Sequence, residues 1–433
     1  MHTINPAFLI DGYKVGHIDQ YPAGTSLVFS NSTCRGSRMP NVNETVIFGN
    51  QYFIKRILQE MWNENFFNKP KQQVCQEYKE LISAYLFTDI SVKQFEALHD
   101  LGYLPLSIWA VPEGTILPLR VANTVFYNTK PEFYWLTNFI ETIYSAEVWD
   151  MVTAATIANE YRKTFNKYAD ETVAIGDRSF VEWQGHDFSF RGRPGFNAAM
   201  AAGAGHLLSF TGTDTIPAFW LVNKYYKGTE SKRVIAGSVP ATEHSVMCVG
   251  TGYNELENDN QAESEKDVYK RLINKTYPNG IVSIVSDTWD FWRVVTEYTK
   301  ELKQDILNRN GKVVIRPDSG DPVKIIVGDK SAAVGSPEYK GAIECLWDIF
   351  GGTITPQGYK LLDSHIGLIY GDSITLERQT AILEGLKAKG FASYNVVLGI
   401  GSFTYNYNTR DTFGQAIKAT YAEVNRESIA ISK

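Results

Sequence analysis

One pattern of apolar and polar positions recurs through the second half of the chain. A short apolar run ends in a polar or acidic residue, a turn follows, and a helical period begins. The runs fall at 207–210, 282–285, 313–315, 366–370 and 396–398. They lead into Gly212-Thr213-Asp214, Ser286-Asp287, Arg316-Pro317-Asp318, Gly371-Asp372 and Gly399-Ile400-Gly401-Ser402. Between them the spacing predicts helices over 291–307 and 339–350. A third is N-capped by Ser373 and carries Leu376, Ile382, Leu383 and Leu386 on one stripe. Strands alternating with helices imply parallel βαβ units and an α/β fold. Polar residues at every strand's C-terminal end favour an irregular (β/α) barrel, with a doubly wound open sheet as the alternative.

The first part has no such repeat. Segments 26–30 and 104–119 are aromatic and β-rich, and helical periods run over 50–62 and 132–161. This is α+β composition. The expected division is an N-terminal α+β domain over 1–150, joined by the tail 405–433, and a barrel over 151–404. The acidic, Asn-rich stretch 254–265 reads as a solvated loop before a helix over 265–275.

Composition narrows the function classes. A net charge of -6 argues against broad nucleic-acid or anionic-membrane binding. No apolar run is long enough to span a bilayer, and the N-terminus lacks a basic segment followed by an apolar one. The 4 cysteines are far apart, which predicts reduced thiols and a cytoplasmic protein. No GxxxxGK[ST], HExxH or GxSxG is present, which removes the P-loop, zincin and α/β-hydrolase readings.

The strand ends carry the candidate chemistry. Arg316 offers a fork for phosphate oxygens, and Asp318 an acceptor for sugar hydroxyls or a metal. Asp287, Asp318 and Asp372 would converge at a barrel mouth, where carboxylates suit Mg²⁺ and ribose hydroxyls. Phe188 can stack on a planar heterocycle while Arg191 reaches a phosphate. Asp214 can accept from an amide and repel a carboxylate, or cap the following helix. Glu243 beside His244 suggests a carboxylate-supported imidazole. The Gly399–Ser402 loop can present N–H groups to a phosphate, with Arg410 and Lys418 following on a β-like tail.

Together these residues resemble the nicotinamide phosphoribosyltransferase family, of the type II phosphoribosyltransferases. The motifs run in order: Asp11-Gly-Tyr13-Lys14-Val15 with His17, Cys34-Arg35, and Tyr134-Trp-Leu-Thr-Asn138 with Ile140-Glu-Thr142. Then come His186-Asp-Phe188 with Arg191-Gly192, Gly212-Thr-Asp-Thr215, and Ser238-Val-Pro240 with Glu243-His-Ser245. Val285-Ser-Asp287, Ile315-Arg-Pro-Asp-Ser-Gly320 and Gly371-Asp372 close the series.

The resemblance implies transfer of phosphoribose from phosphoribosyl pyrophosphate to nicotinamide, giving nicotinamide mononucleotide and pyrophosphate in NAD salvage. It implies a homodimer with shared sites, Mg²⁺, and ATP as a facultative co-substrate that phosphorylates His244. Phe188 and Tyr13 of the partner subunit would sandwich the nicotinamide ring, with Asp214 on its amide and Ser238 beside it. Arg191, His244 and Arg316 would hold phosphate or pyrophosphate. Asp287 and Asp318 are the candidates for Mg²⁺, and Asp318, Gly371 and Asp372 would line the phosphoribosyl group. Gly401, Ser402 and Arg410 would face its 5′-phosphate, with Arg35 and Lys418 as further basic contacts. The family's phosphate loop is richer in glycine than this one, and its final sheet continues past the position matching Lys433. The alternatives are a nicotinate phosphoribosyltransferase and a catalytically impaired ligand-binding dimer.

Overall fold

The computed structural model describes residues 4–252, 264–371 and 373–432. Asp372 and most of the expected 254–265 loop lie outside these. The chain divides into two compact units, one of Met1–Thr156, Trp220–Glu230 and Asn408–Lys433, the other of Ile157–Phe219 and Ser231–Tyr407.

The second unit holds a parallel sheet of β1 (Gly185–Asp187), β2 (Asn279–Val285), β3 (Asn310–Arg316), β4 (Ile366–Tyr370) and β5 (Val396–Ile400). The order is β1-β5-β4-β3-β2. Register keeps the apolar rungs level: Val313 pairs with Val282 and Ile366, and Ile315 with Ile284 and Leu368. These Val and Ile side chains are buried, as strands covered by helices require.

Isolated parallel bridges continue the ring beyond the sheet. Asp187 pairs with Thr213, Gly212 with Gly237, and Ala241 with Ser283 on β2. Residues 211–213 and 237–241 therefore act as two irregular staves between β1 and β2, and the sheet curls into the expected irregular barrel. The alternate side chains of β2 and β3, Ile281, Ser283, Lys312, Val314 and Arg316, line a cavity of about 500 Å³.

Two local expectations fail for identifiable reasons. Residues 207–210 are not a strand. They finish helix α1 (Phe196–His206), whose last carbonyls accept from Leu207, Leu208 and Phe210. The small residues Ala199, Ala201, Ala202 and Ala204 are all buried, so this helix is enclosed on every side and lacks an amphipathic period. Ser373 is not an N-cap. It takes a positive φ of 54°, and Thr375 Oγ1 instead accepts from Arg378 N–H at 3.2 Å to start the helix Leu376–Ala388. The 339–350 helix is divided at Gly341, where φ is 82° and any Cβ would strike the Val327 backbone.

The first unit carries an antiparallel sheet. Its order is Glu427–Ala430, Gln415–Val424, Thr25–Cys34, Ala122–Asn128, Leu106–Ala110. The tail thus completes the N-terminal sheet by pairing with Thr25–Cys34. Phe53, Trp62, Phe66, Phe95, Phe126 and Tyr144 form an aromatic core there.

Candidate active site

At the C-terminal end of β1 the chain turns sharply. Buried Asp187 fixes the turn by accepting from Ser189 N–H (2.9 Å) and Thr213 Oγ1 (3.0 Å). Phe188 N–H donates to Ile400 O at 3.1 Å, which lays the Phe188 ring across the ends of β5 and β4. Only glycine fits beneath it. A Cβ on Gly399 would lie 2.5 Å from Phe188 Cδ2, and one on Gly371 would lie 2.9 Å from Asp318 Oδ1 and 3.7 Å from the ring.

His186, two residues earlier on the same face, places its ring 4.5 Å from that of Phe188. Its Nε2 meets Asp214 Oδ1 at 2.9 Å, and Ser238 Oγ donates to the same oxygen. Both partners crowd onto Oδ1, which leaves Oδ2 the freer oxygen. Burial pushes the Asp214 carboxyl up, but the His186 and Ser238 hydrogen bonds and the Arg316 charge outweigh it. The group is held below the usual carboxylate range. Of the two roles open in the sequence, the carboxylate takes the site-facing one, and its side chain engages His186 and Ser238 rather than helix N–H groups.

The opposite rim gathers cations and carboxylates. Arg316 ends β3, and its backbone exchanges hydrogen bonds with Ser286. Its Nη2 donates to Thr242 O, which anchors one arm of the fork, while the buried Nε has no partner among the described residues. Asp287 Oδ2 accepts from Asp318 N–H at 2.9 Å and from Ser319 Oγ, so it shapes the turn that presents Asp318. Its Oδ1 is buried, without a hydrogen bond among the described residues, and 3.8 Å from His244 Nε2.

His244 opens helix α2 (His244–Gly252), and its Nδ1 lies 3.1 Å from Thr288 Oγ1. The expected Glu243 support is not formed. Glu243 accepts from Ser245 Oγ instead, because consecutive residues at a helix start point about 100° apart. Asp287 and Thr288 are the groups facing the imidazole.

Gly401 and Ser402 follow β5, with Ser402 opening helix α3 (Ser402–Asn406). Arg191 is exposed in the turn Phe190–Gly192, which Asn406 ties down by donating to Gly192 O. The cavity lining includes His186, Phe188, Asp214, Ser238 and Arg316, so the structure brings these five together.

Four expected residues lie in the first unit. Tyr13 is 67% exposed, with Lys14 Nζ 5.6 Å from its ring centroid. Arg35 Nε donates to Gly414 O at 3.0 Å, Arg410 lies 3.5 Å from Asp411, and Lys418 lies 3.9 Å from Glu141. Asp372 is outside the described residues.

Sequence reasoning assigned no role to His186, Thr242 or Thr288. Only His186 left a signal: in a strand it shares a face with Phe188 two residues on.

Comparison with known proteins agrees with this geometry. Residues 183–433 match the nicotinate phosphoribosyltransferase (NAPRTase) family, and residues 5–108 match the nicotinamide phosphoribosyltransferase N-terminal domain. A nicotinamide phosphoribosyltransferase of Acinetobacter baylyi (strain ATCC 33305 / BD413 / ADP1) is 54% identical over 434 residues, covering 98% of this chain and 83% of that protein. One from Mycoplasma pneumoniae (strain ATCC 29342 / M129 / Subtype 1) is 33% identical, covering 95% and 88%. The crystal structure of human nicotinic acid phosphoribosyltransferase shares the fold, with a TM-score of 0.50 at 15% identity over 90% of this chain and 72% of that one. An aromatic platform, a carboxylate for its ligand and a guanidinium across the cavity thus sit in a chain that belongs to the nicotinate phosphoribosyltransferase family.

Proposed function

We infer that this chain is a nicotinamide phosphoribosyltransferase of NAD salvage. It joins nicotinamide to phosphoribosyl pyrophosphate and releases nicotinamide mononucleotide and pyrophosphate. The observation that carries the choice of base is Asp214, held as a carboxylate beside the Phe188 ring. A carboxylate accepts from an amide NH₂ and repels the carboxylate of nicotinate.

The chemistry follows from the substrates. The ring nitrogen carries its own lone pair, so no base is required to deprotonate it. It attacks the anomeric carbon as the bond to pyrophosphate breaks, and the departing oxygen keeps that electron pair. Positive charge builds on the ribose at the transition state, and negative charge on the leaving group. Arg316, with Arg191 and His244, stabilises the pyrophosphate, while Asp318 with Gly371 and Asp372 lies along the ribose. Phe188 fixes the base in line with the anomeric carbon, and Ser238 steadies Asp214. Gly401 and Ser402 take the 5′-phosphate, with Arg410, Arg35 and Lys418 as further basic contacts. The other face of the base is covered by Tyr13 of the partner subunit in a homodimer.

Mg²⁺ suits the oxygen donors here, because Asp287 Oδ1 is buried, unpartnered and beside the phosphate-side residues. No cluster of three or more ligating side chains exists among the described residues, so Asp287 or Asp318 would share the ion with substrate phosphates, whose charge it neutralises. His244 is the acceptor for ATP in the facultative coupling, through Nε2, the nitrogen not turned to Thr288. A cytoplasmic location belongs to the same reading and rests on the free thiols of Cys34, Cys75, Cys248 and Cys345.

The test is product formation. Incubation with phosphoribosyl pyrophosphate, Mg²⁺ and nicotinamide should yield the mononucleotide by mass, and its absence with every base would leave only a ligand-binding role. Asp214→Ser should lower the preference for nicotinamide over nicotinate; unchanged selectivity would remove that role. Radiolabelled ATP should label wild type and not His244→Ala, and equal labelling would exclude His244.

A further inference from the structure

His206, which the proposed reaction does not use, occupies a telling position. It ends α1 with no exposed surface, its ring 5.1 Å from that of Phe210. Both ring nitrogens are engaged: Nε2 lies 3.1 Å from Gly212 O, and Nδ1 lies 2.8 Å from Tyr405 Oη. A carbonyl oxygen can only accept, so Nε2 carries the hydrogen and Nδ1 is bare. Tyr405 must therefore donate. Burial lowers the imidazole's proton affinity, opposed in part by Asp187, which agrees with a neutral ring in this one tautomer.

The two partners belong to opposite ends of the site. Gly212 O also accepts from Asp187 N–H at 3.0 Å, and it lies two residues before Asp214. The bond thus pins the stave that carries the base-recognising carboxylate. Tyr405 is 1% exposed and lies on α3, the helix that Ser402 opens at the proposed 5′-phosphate end. Thr404 on the same helix donates to Ile374 O at 2.9 Å, so this helix is itself anchored.

We propose that His206 is a positioning residue for the transfer reaction, its tautomer set by Tyr405, holding the Gly212–Asp214 stave in register with the Ser402 helix. The idea rests on the reaction inferred above. It touches neither substrate and acts through Asp214.

Side-chain amides separate the two bonds. Gln places its amide nitrogen near the imidazole Nε2 and keeps the bond to Gly212, whereas Asn reaches only the Nδ1 position. Nicotinamide KM and kcat, phosphoribosyl pyrophosphate KM and melting temperature are measured for His206→Gln, His206→Asn and Tyr405→Phe. His206→Gln should keep the nicotinamide KM within about 2-fold. His206→Asn and Tyr405→Phe should raise it about 5-fold or more, with kcat within about 3-fold. Equal effects of Gln and Asn, or lowered melting temperatures with unchanged KM, would overturn the proposal. If His206→Asn does not fold, Tyr405→Phe decides alone. A wild-type chain that forms no mononucleotide refutes the underlying reaction, and nicotinamide Kd by calorimetry then reads the positioning role without turnover.

Discussion

Adding one methyl group at Gly399 tests whether the Phe188 ring is the base platform. The Cβ of Gly399→Ala would lie 2.5 and 2.9 Å from Phe188 Cδ2 and Cε2, and 2.8 Å from Gly371 Cα. Carbon atoms in contact prefer about 3.5–4.0 Å, so the overlap is on the order of 1 Å. The neighbouring backbone at Gly371 is fixed by the β4–β5 pairing, so the ring must yield. Overpacking of this kind costs about 1–3 kcal/mol, more than the roughly 0.4–1 kcal/mol that Gly→Ala returns through the unfolded chain. The melting temperature should fall by several degrees. Displacing the platform by about 1 Å should cost kcat/KM for nicotinamide about 100-fold. Steady-state kinetics with varied nicotinamide, beside a thermal melt, reads both quantities. Adding Phe188→Ala should restore the melting temperature by removing the collision, yet leave activity low. A Gly399→Ala enzyme with wild-type kcat/KM would refute the platform.

Other expectations are simpler. Asp214 has a depressed carboxyl pKa, so its charged form, and whatever stability its partners gain from it, is present above the ordinary carboxylate range and lost as pH falls through the lowered value. Preference for nicotinamide should therefore stay flat from pH 8 to about 5, and a midpoint between 5 and 7 in a pH series of competition assays would contradict this. Arg316→Lys keeps the charge but loses the fork held by Thr242 O; the KM for phosphoribosyl pyrophosphate should rise about 10-fold, measured at saturating nicotinamide. Burial pushes the Cys75 and Cys345 thiols up to about 11, whereas Cys248 is exposed. Iodoacetamide at neutral pH should thus modify Cys248 first in the folded protein, and peptide mapping by mass spectrometry checks it.

The sequence was most legible where chemistry and periodicity coincide. The Val- and Ile-rich runs of β2, β3, β4 and β5 were readable because strands buried on both faces need continuous apolar residues. β1 was not, since Gly185-His186-Asp187 has no apolar run and its pairing comes from neighbours far along the chain. Residues 207–210 misled for the opposite reason: an apolar run there finishes an enclosed helix. The residue types at Phe188, Asp214 and Arg316 pointed to the site before any geometry, and the shared cavity joins them. Their partners could not be read. His186 to Asp214, Thr242 to Arg316 and Asp287 to Ser319 are contacts between separate strand ends, and only the closed ring brings them together.

One measurement bears most directly on the account. Wild-type chain receives phosphoribosyl pyrophosphate, Mg²⁺ and equal nicotinamide and nicotinate, and the two mononucleotides are resolved by mass. A carboxylate facing a like charge at contact distance disfavours nicotinate by a few kcal/mol, which predicts nicotinamide mononucleotide in at least about 100-fold excess at early times. Equal products, or a majority of nicotinate mononucleotide, would contradict the role given to Asp214 and the activity drawn from it.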